Sequence, residues 1–393
     1  MNILFFCQLY PPAIYGGGEY IFFQYAKELA KRGHKVITIA QRLKGTSDFE
    51  QIEGINVFRT GSSIEYHGVL PVSLRRNSDY LMNATVKGIS IIVENKIDVI
   101  HSNTYIPALA GCVCAQLFRK PHVITFHDVY FLRRETFWDS WSSQGNSSGL
   151  VSLAGSSVEK LLLKLPKTVY HTVSETSKED LLYSKVRDVV VVPNGIDISE
   201  YSGTDEVKRD DFQVIFIGRL VFYKNLDTVI RAFKKVVAKI DKAKLVIVGD
   251  GPMRSRWEAL VTSIGLNEHV TFAGNIPHEE KVRLLKRSSF LVFPSVVEGF
   301  GIVVLEAFAC NKPALVSEVK PLTEIVENGE DGYLVSPFDA DAWAEKMIDL
   351  LSAPNKAAEM GVRGRKKLEQ NYTIPKVVDK LEELYSQIAM VSS

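Results

Sequence analysis

Short runs rich in β-branched and aromatic residues alternate with amphipathic stretches along the whole chain. "NILFF" (2–6) leads through a glycine loop into "YIFFQYAKELAKRG" (20–33), where apolar residues recur at helical spacing and Gly33 stands as a C-terminal stop. "KVITIA" (35–40), "INVFRT" (55–60), "IDVIHS" (97–102), "HVITFHD" (122–128) and "VVVVPNG" (189–195) predict further strands. A second series begins after the charged stretch "GTDEVKRDD" (203–211). It contains "FQVIFIGRL" (212–220), "AKLVIVGDGP" (243–252), "HVTFAGNI" (269–276), "SFLVFPS" (289–295), "PALVSEV" (313–319) and "GYLVSP" (332–337). Helical stretches such as "LDTVIRAFKKVVAKI" (226–240) lie between them. This alternation is that of a parallel sheet with crossover helices. It occurs twice, which predicts two doubly wound α/β domains with a linker near 194–211.

Length agrees, since 393 residues exceed one ordinary core and suit two. A net charge of +1 gives no global field for nucleic acid, which is not expected as a partner. The four cysteines (Cys7, Cys112, Cys114 and Cys310) fit neither a metal spacing nor a disulfide framework, so a reducing cytoplasm is expected. "MNILFFCQLYPP" lacks the basic start and long apolar core of a signal peptide. The longest apolar stretch, "IPALAGCVCAQLF" (106–118), is too short to span a bilayer.

Ligands of open parallel sheets bind beyond the carboxyl ends of the strands. After "FQVIFI" come Gly218, Arg219, Lys224 and Asn225; after "AKLVIV" come Gly249, Asp250, Gly251 and Pro252; after "SFLVF" come Pro294, Ser295, Glu298, Gly299, Phe300 and Gly301. Three strand ends thus offer glycines with a few charges, which favours a ligand site over three unrelated turns. Gly299 to Gly301 precede a helix whose free N–H groups and dipole suit a phosphate, and Arg219 and Lys224 supply cations for the same anion. Glu298, in the loop, and Glu306, one or two turns into the helix, are suited to accept hydrogen bonds from sugar hydroxyls. Glu306 paired with a neighbouring lysine is the alternative reading. "DAD" (339–341) looks like a metal-binding Asp-x-Asp, but between "SPF" and a helix it reads as an N-cap. His34 and His101 read as structural. "GGG" (16–18) is not a dinucleotide fingerprint, because no G-x-G-x-x-G with an acidic partner is present.

Glu298-x7-Glu306 within "EGFGIVVLEA" resembles the signature of retaining glycosyltransferases of family 4, which have the GT-B fold. The resemblance runs over nearly the whole chain: "PPAIYGGGEYIFFQYAKELAKRGHKVIT", "TFHD", "VPNGID", "GRLVFYKNLDTVIRAF", "LVIVGDGP" and "NGEDGYLVSP" are similar to family blocks in the same order. It implies two Rossmann-like domains facing across a cleft: residues 1–195 on the acceptor side, 196–373 binding a nucleotide sugar, and a final helix in 374–393 packing back on the first. By motif position, Arg219 and Lys224 would bind the diphosphate beside Gly218, Glu298 the sugar hydroxyls and Glu306 the ribose. The backbone of Phe300, Gly301, Ile302 and Val303 would hold phosphate and sugar. Gly16, Gly17 and Gly18 would approach the donor phosphate, Asn275, Ile276 and Pro277 the base, and His127 the transferred sugar.

The implied activity is retaining transfer of a hexosyl group from a UDP- or GDP-linked sugar to a hydroxyl acceptor, with no metal and no further cofactor. The departing phosphate would take the acceptor proton, and His127, Arg219, Lys224 and Glu298 would carry catalysis. The rival readings are a sugar-nucleotide epimerase or phosphorylase of the same fold, or a sugar-nucleotide-binding protein without catalysis. Residues 131–167 combine Arg133, Arg134, Trp138, Trp141, Lys160, Lys164 and Leu161 to Leu163. They read either as a peripheral membrane contact serving a lipid-linked acceptor or as an ordinary helix and loop covering the domain.

Overall fold

The structure is a computed structural model that describes residues 1–13, 16–65, 73–127, 157–203 and 207–391. It divides into two compact units, Met1–Asn194 with Ile374–Ser393, and Gly195–Thr373.

The first unit is built on an eight-stranded sheet: β1 (Asn2–Phe6), β2 (Lys35–Leu43), β3 (Phe49–Ile52), β4 (Ile55–Ile64), β5 (Val99–Asn103), β6 (His122–Phe126), β7 (Thr168–Thr172) and β8 (Val189–Val191). Their order is β3-β4-β2-β1-β5-β6-β7-β8. Every pairing is parallel except β3 with β4. That hairpin departs from the purely parallel expectation. "FEQI" carries too little apolar alternation to announce a strand, and its two-residue turn, Glu53 and Gly54, has both residues at positive φ (51° and 79°), as a tight hairpin requires. The central strands β1, β5 and β6 are buried almost throughout, which explains why they read as continuous apolar runs.

The helix Ile374–Val391 belongs to this unit although it ends the chain. Val377, Val378, Leu381 and Tyr385 are fully buried, and Arg32 reaches Asp379 (2.7 Å) and Glu382 (2.5 Å). Tyr385 also starts a buried polar chain. Its hydroxyl bonds His101 Nδ1 (2.5 Å), His101 Nε2 bonds Thr125 Oγ1 (2.7 Å), Thr125 Oγ1 bonds His171 Nδ1 (2.8 Å), and His171 Nε2 donates to the Val192 carbonyl (2.9 Å). Burial holds both imidazoles neutral, His101 well below and His171 down to about 4 against the usual value near 6.5. Because a carbonyl only accepts, every proton in the chain then has one consistent direction, from Tyr385 to Val192. His34 and His101 are therefore structural: His34 joins Glu382 at 2.6 Å.

The second unit has β9 (Gln213–Ile217), β10 (Lys244–Val248), β11 (Val270–Gly274), β12 (Phe290–Phe293), β13 (Ala314–Ser317) and β14 (Gly332–Val335), all parallel, in the order β11-β10-β9-β12-β13-β14. The helix Leu226–Lys239 buries Leu226, Val229, Ile230, Phe233 and Val236, the i, i+3, i+4 stripe of a helix with one core face. β9 lies between β10 and β12, so the chain leaves it in opposite directions along the sheet. A crevice opens at such a point beyond the carboxyl ends of the two strands.

Candidate active site

The loop after β9 carries Gly218 and Arg219, both half-buried, and then a 3-10 turn, Phe222–Lys224. Asn225 ends the turn at φ 50°, a left-handed position that asparagine tolerates, and its side chain donates to the Pro337 carbonyl at 2.6 Å. Lys224 is thereby directed back over the sheet end, with its amine 4.6 Å from the Phe293 ring centroid. The next loop packs against this one backbone to backbone. A Cβ at Gly249 would lie 2.1 Å from the Gly218 carbonyl oxygen, and one at Gly251 2.5 Å from that of Leu220, so only glycine fits either place.

From the other side of the crevice comes the loop after β12. Val296 N donates to the Tyr223 carbonyl at 2.9 Å, tying this loop to the 3-10 turn. Glu298 is then in reach of Lys224, and the two form an ion pair. Gly301 caps the helix Ile302–Ala309 at φ 104°, and a Cβ there would meet Leu322 Cδ2 at 2.6 Å. The strand end thus turns within a few residues into a helix whose first N–H groups lie beside Phe300, Gly301, Ile302 and Val303. Phe300 is buried and packs edge-on against Tyr372 (6.0 Å), while Ile302 and Val303 are half-buried.

Glu306 sits one turn further on, buried within the apolar run of that helix. Its Oε1 accepts from the Tyr201 hydroxyl (2.9 Å) and from Lys281 Nζ (2.7 Å). The lysine-paired alternative for Glu306 is therefore realised. Lys281 comes from the helix His278–Arg287, which follows directly on Asn275, Ile276 and Pro277. Asn275 and Pro277 are exposed and Ile276 half-buried, while Gly249 N donates to the Gly274 carbonyl (2.8 Å), fixing the end of β11 against β10.

In the first unit, Gly16, Gly17 and Gly18 begin the helix Gly17–Lys31, where Gly16 N donates to Glu19 Oε2 at 3.1 Å. Gly18 faces His127 at the end of β6: a Cβ on Gly18 would stand 3.0 Å from both Cδ2 and Nε2 of the imidazole. His127 Nε2 is buried and has no hydrogen-bond partner among the described residues. Burial and, secondarily, the nearby His171 lower its pKa to about 3, so it is a neutral imidazole.

The candidates thus form two groups, Gly16 to Gly18 with His127 in one unit and the switch-point residues in the other. Lys224 and Glu298, read separately as phosphate and sugar ligands, bond each other, which was not foreseen. For Glu306 a lysine partner was the alternative reading, and Tyr201 joins it as a second donor. No sequence signal marks Tyr201 or Lys281, because they come from separate elements and meet Glu306 only in the folded chain. Asp339 caps the helix Ala340–Ser352, accepting from Asp341 N (3.1 Å) and Ala342 N (3.0 Å), and Asp341 pairs with Lys235. Of residues 131–167, positions 131–156 lie outside the described residues; in the remainder Leu162 is core, packed with Ile124, Phe126 and Tyr170. Among the described residues no helix is long and apolar enough to cross a membrane.

Comparison with known proteins agrees with this arrangement. Residues 197–367 match the pattern of "Glycosyl transferases group 1" and residues 15–200 that of "Glycosyltransferase Family 4". An uncharacterized glycosyltransferase of Methanocaldococcus jannaschii, MJ1607, is 30% identical over 362 residues, 87% of either chain. Sucrose-phosphate synthase from Thermosynechococcus elongatus superimposes with a TM-score of 0.84 over 100% of both chains at 23% identity. Alr3699/HepE of Anabaena, in complex with UDP-glucose, does so with a TM-score of 0.74 over 98% of this chain and 100% of its own, at 20% identity. Two α/β units on largely parallel sheets, a glycine-turned helix N-terminus at the switch point and these matches lead to one assignment: the chain belongs to the group 1, family 4 glycosyltransferases and is a glycosyltransferase of the GT-B fold.

Proposed function

We propose that this enzyme transfers a hexosyl group, with retention of anomeric configuration and without a metal, from a UDP- or GDP-linked sugar to a hydroxyl acceptor. One observation carries this reading: Lys224, Glu298 and the N-terminus of Ile302–Ala309 converge on the β9/β12 switch point. Cations beside a helix N-terminus suit a diphosphate, and a carboxylate beside them suits the hydroxyls of a sugar attached to it. The UDP-glucose complex of Alr3699/HepE supports a donor of this class.

In this reading Arg219, Lys224 and the N–H groups at 300–303 stabilise the negative charge that grows on the diphosphate as the glycosidic C–O bond breaks. Glu298 orients the hexose, Glu306 holds the ribose, and Asn275, Ile276 and Pro277 meet the base. Gly16, Gly17, Gly18 and His127 act on the phosphate and the transferred sugar from the first unit. The acceptor oxygen bonds the anomeric carbon on the face the diphosphate leaves. Its proton passes to the departing phosphate oxygen, so that no protein nucleophile is needed.

The acceptor is a hydroxyl compound, lipid-linked where residues 131–167 bring the enzyme to a membrane. Leu161, 54% exposed beside Lys160 and Lys164, suits that contact. Co-sedimentation with anionic and neutral liposomes tests it; protein remaining in the supernatant with both would remove the lipid acceptor.

Purified enzyme incubated with UDP-, GDP- and ADP-sugars tests the central reading. A shift in Tm with one donor class, together with slow donor hydrolysis or glycosylation of an added acceptor, is expected. An epimerised sugar nucleotide, transfer requiring inorganic phosphate, or binding without any turnover would replace it by an epimerase, a phosphorylase or a non-catalytic binder respectively.

A further inference from the structure

Glu306 is held more elaborately than a ligand-binding carboxylate requires. Among the described residues, both of its hydrogen bonds fall on one oxygen, Oε1, from Tyr201 at 2.9 Å and Lys281 at 2.7 Å. Two donors on one oxygen fix the plane of the carboxylate, and neither uses Oε2. One helix supports both donors. His278, in the first turn of His278–Arg287, packs its ring edge-on against Tyr201 (5.3 Å, 76°), and Lys281, three residues on, reaches Glu306 itself. That same helix begins at Pro277, the end of the loop read above as the base contact.

From this geometry we propose that Lys281 and Tyr201 are positioning residues that lock Glu306 so that Oε2 accepts from a ribose hydroxyl of the donor, making the enzyme selective for ribonucleotides over their deoxy analogues. The proposal rests on the ribose reading of Glu306. Without the lysine the carboxylate loses a charge-assisted partner and turns about its side-chain torsions, and a freely turning acceptor gains less from a hydroxyl than a fixed one. Tyr201 acts alike but more weakly, as a neutral donor. Because the helix that carries Lys281 and packs His278 against Tyr201 also follows the base loop, base and ribose recognition meet at one element.

The test measures Kd by calorimetry for UDP, GDP and ADP. The tightest binder is then compared with its 2′-deoxy and 3′-deoxy forms on wild type, Lys281→Met and Tyr201→Phe. Wild type is expected to prefer the ribonucleotide over at least one deoxy form by about tenfold or more. Lys281→Met should lose most of that preference by weakening only the ribonucleotide, and Tyr201→Phe, which keeps the ring, should lose part of it. Three results overturn the proposal: a preference unchanged in Lys281→Met, equal weakening of all forms, or a change in preference matched by Glu306-independent loss in a Glu306→Gln background. Absence of any preference in wild type defeats the ribose reading along with it. Binding of none of the three diphosphates defeats the donor reading itself.

Discussion

Lys224 and Glu298 stand on separate loops at the mouth of the β9/β12 crevice and bond each other with only 12% of either side chain exposed. A pair so enclosed leaves a costly unpaired charge when one partner is removed. It also means that a donor diphosphate competes with Glu298 for Lys224. Glu298→Ala should therefore bind the nucleoside diphosphate as tightly as wild type or more tightly, yet turn over roughly tenfold slower or worse because the sugar is poorly held. Arg219→Glu and Lys224→Glu should have no measurable turnover. Calorimetry and steady-state rates separate the two effects, and near-wild-type turnover of Arg219→Glu with saturating donor would sink the phosphate assignment.

His127 and Gly18 form the corresponding contact in the first unit, where a Cβ on Gly18 would press on the imidazole. His127→Ala should lower kcat sharply and leave nucleoside diphosphate affinity nearly unchanged. Gly18→Ala, whose new methyl would stand 3.0 Å from the imidazole, should give a smaller loss of kcat by displacing the ring. If His127→Ala instead loses affinity and keeps kcat, the imidazole belongs to a nucleotide-binding role.

Metal independence is tested by exhaustive chelation. With Asp339 engaged as a helix cap and Asp341 paired with Lys235, we expect EDTA-treated enzyme to keep full activity. Loss restored by manganese or magnesium would refute this.

Acid should destabilise the first unit selectively. Burial lowers the pKa of His122 and His127 to about 3 and of His171 to about 4, and that of His101 well below its usual value. These groups take up protons more readily unfolded than folded. Their contribution is complete above about pH 6.5 and falls as the pH drops toward 4, by up to about 1.4 kcal/mol per histidine per pH unit. Protonating His101 or His171 would also set donor against donor in the chain from Tyr385 to Val192. Calorimetry between pH 7.5 and 4.5 should show the transition of the first unit moving to lower temperature; a Tm independent of pH over that range would contradict it.

The parallel sheets were legible because the buried strands are apolar runs alternating with amphipathic stretches, and the crevice was legible because Gly218 and Arg219, Gly249 to Gly251, and Glu298 to Gly301 follow β9, β10 and β12. β3 was not, since "FEQI" at a sheet edge needs no apolar face. The pairings inside the site were not legible either. Lys224 and Glu298 are 74 positions apart, Tyr201 and Glu306 105, and Lys281 and Glu306 25, so only the crossing of loops and helices in space reveals them. A single sequence also presents Lys281 as one more cation on an amphipathic helix of a chain that carries 47 lysines and arginines.

The return of Ile374–Val391 to the first unit separates the order of synthesis from the order of assembly. Gly195–Thr373 is continuous in the chain, whereas the unit begun by Met1 is completed only by Ile374–Val391, which brings Tyr385 to His101 and Asp379 and Glu382 to Arg32. The first-made half is thus the last to be completed, and a chain cut short at Thr373 would keep every strand of the later unit while lacking the helix that closes the earlier one.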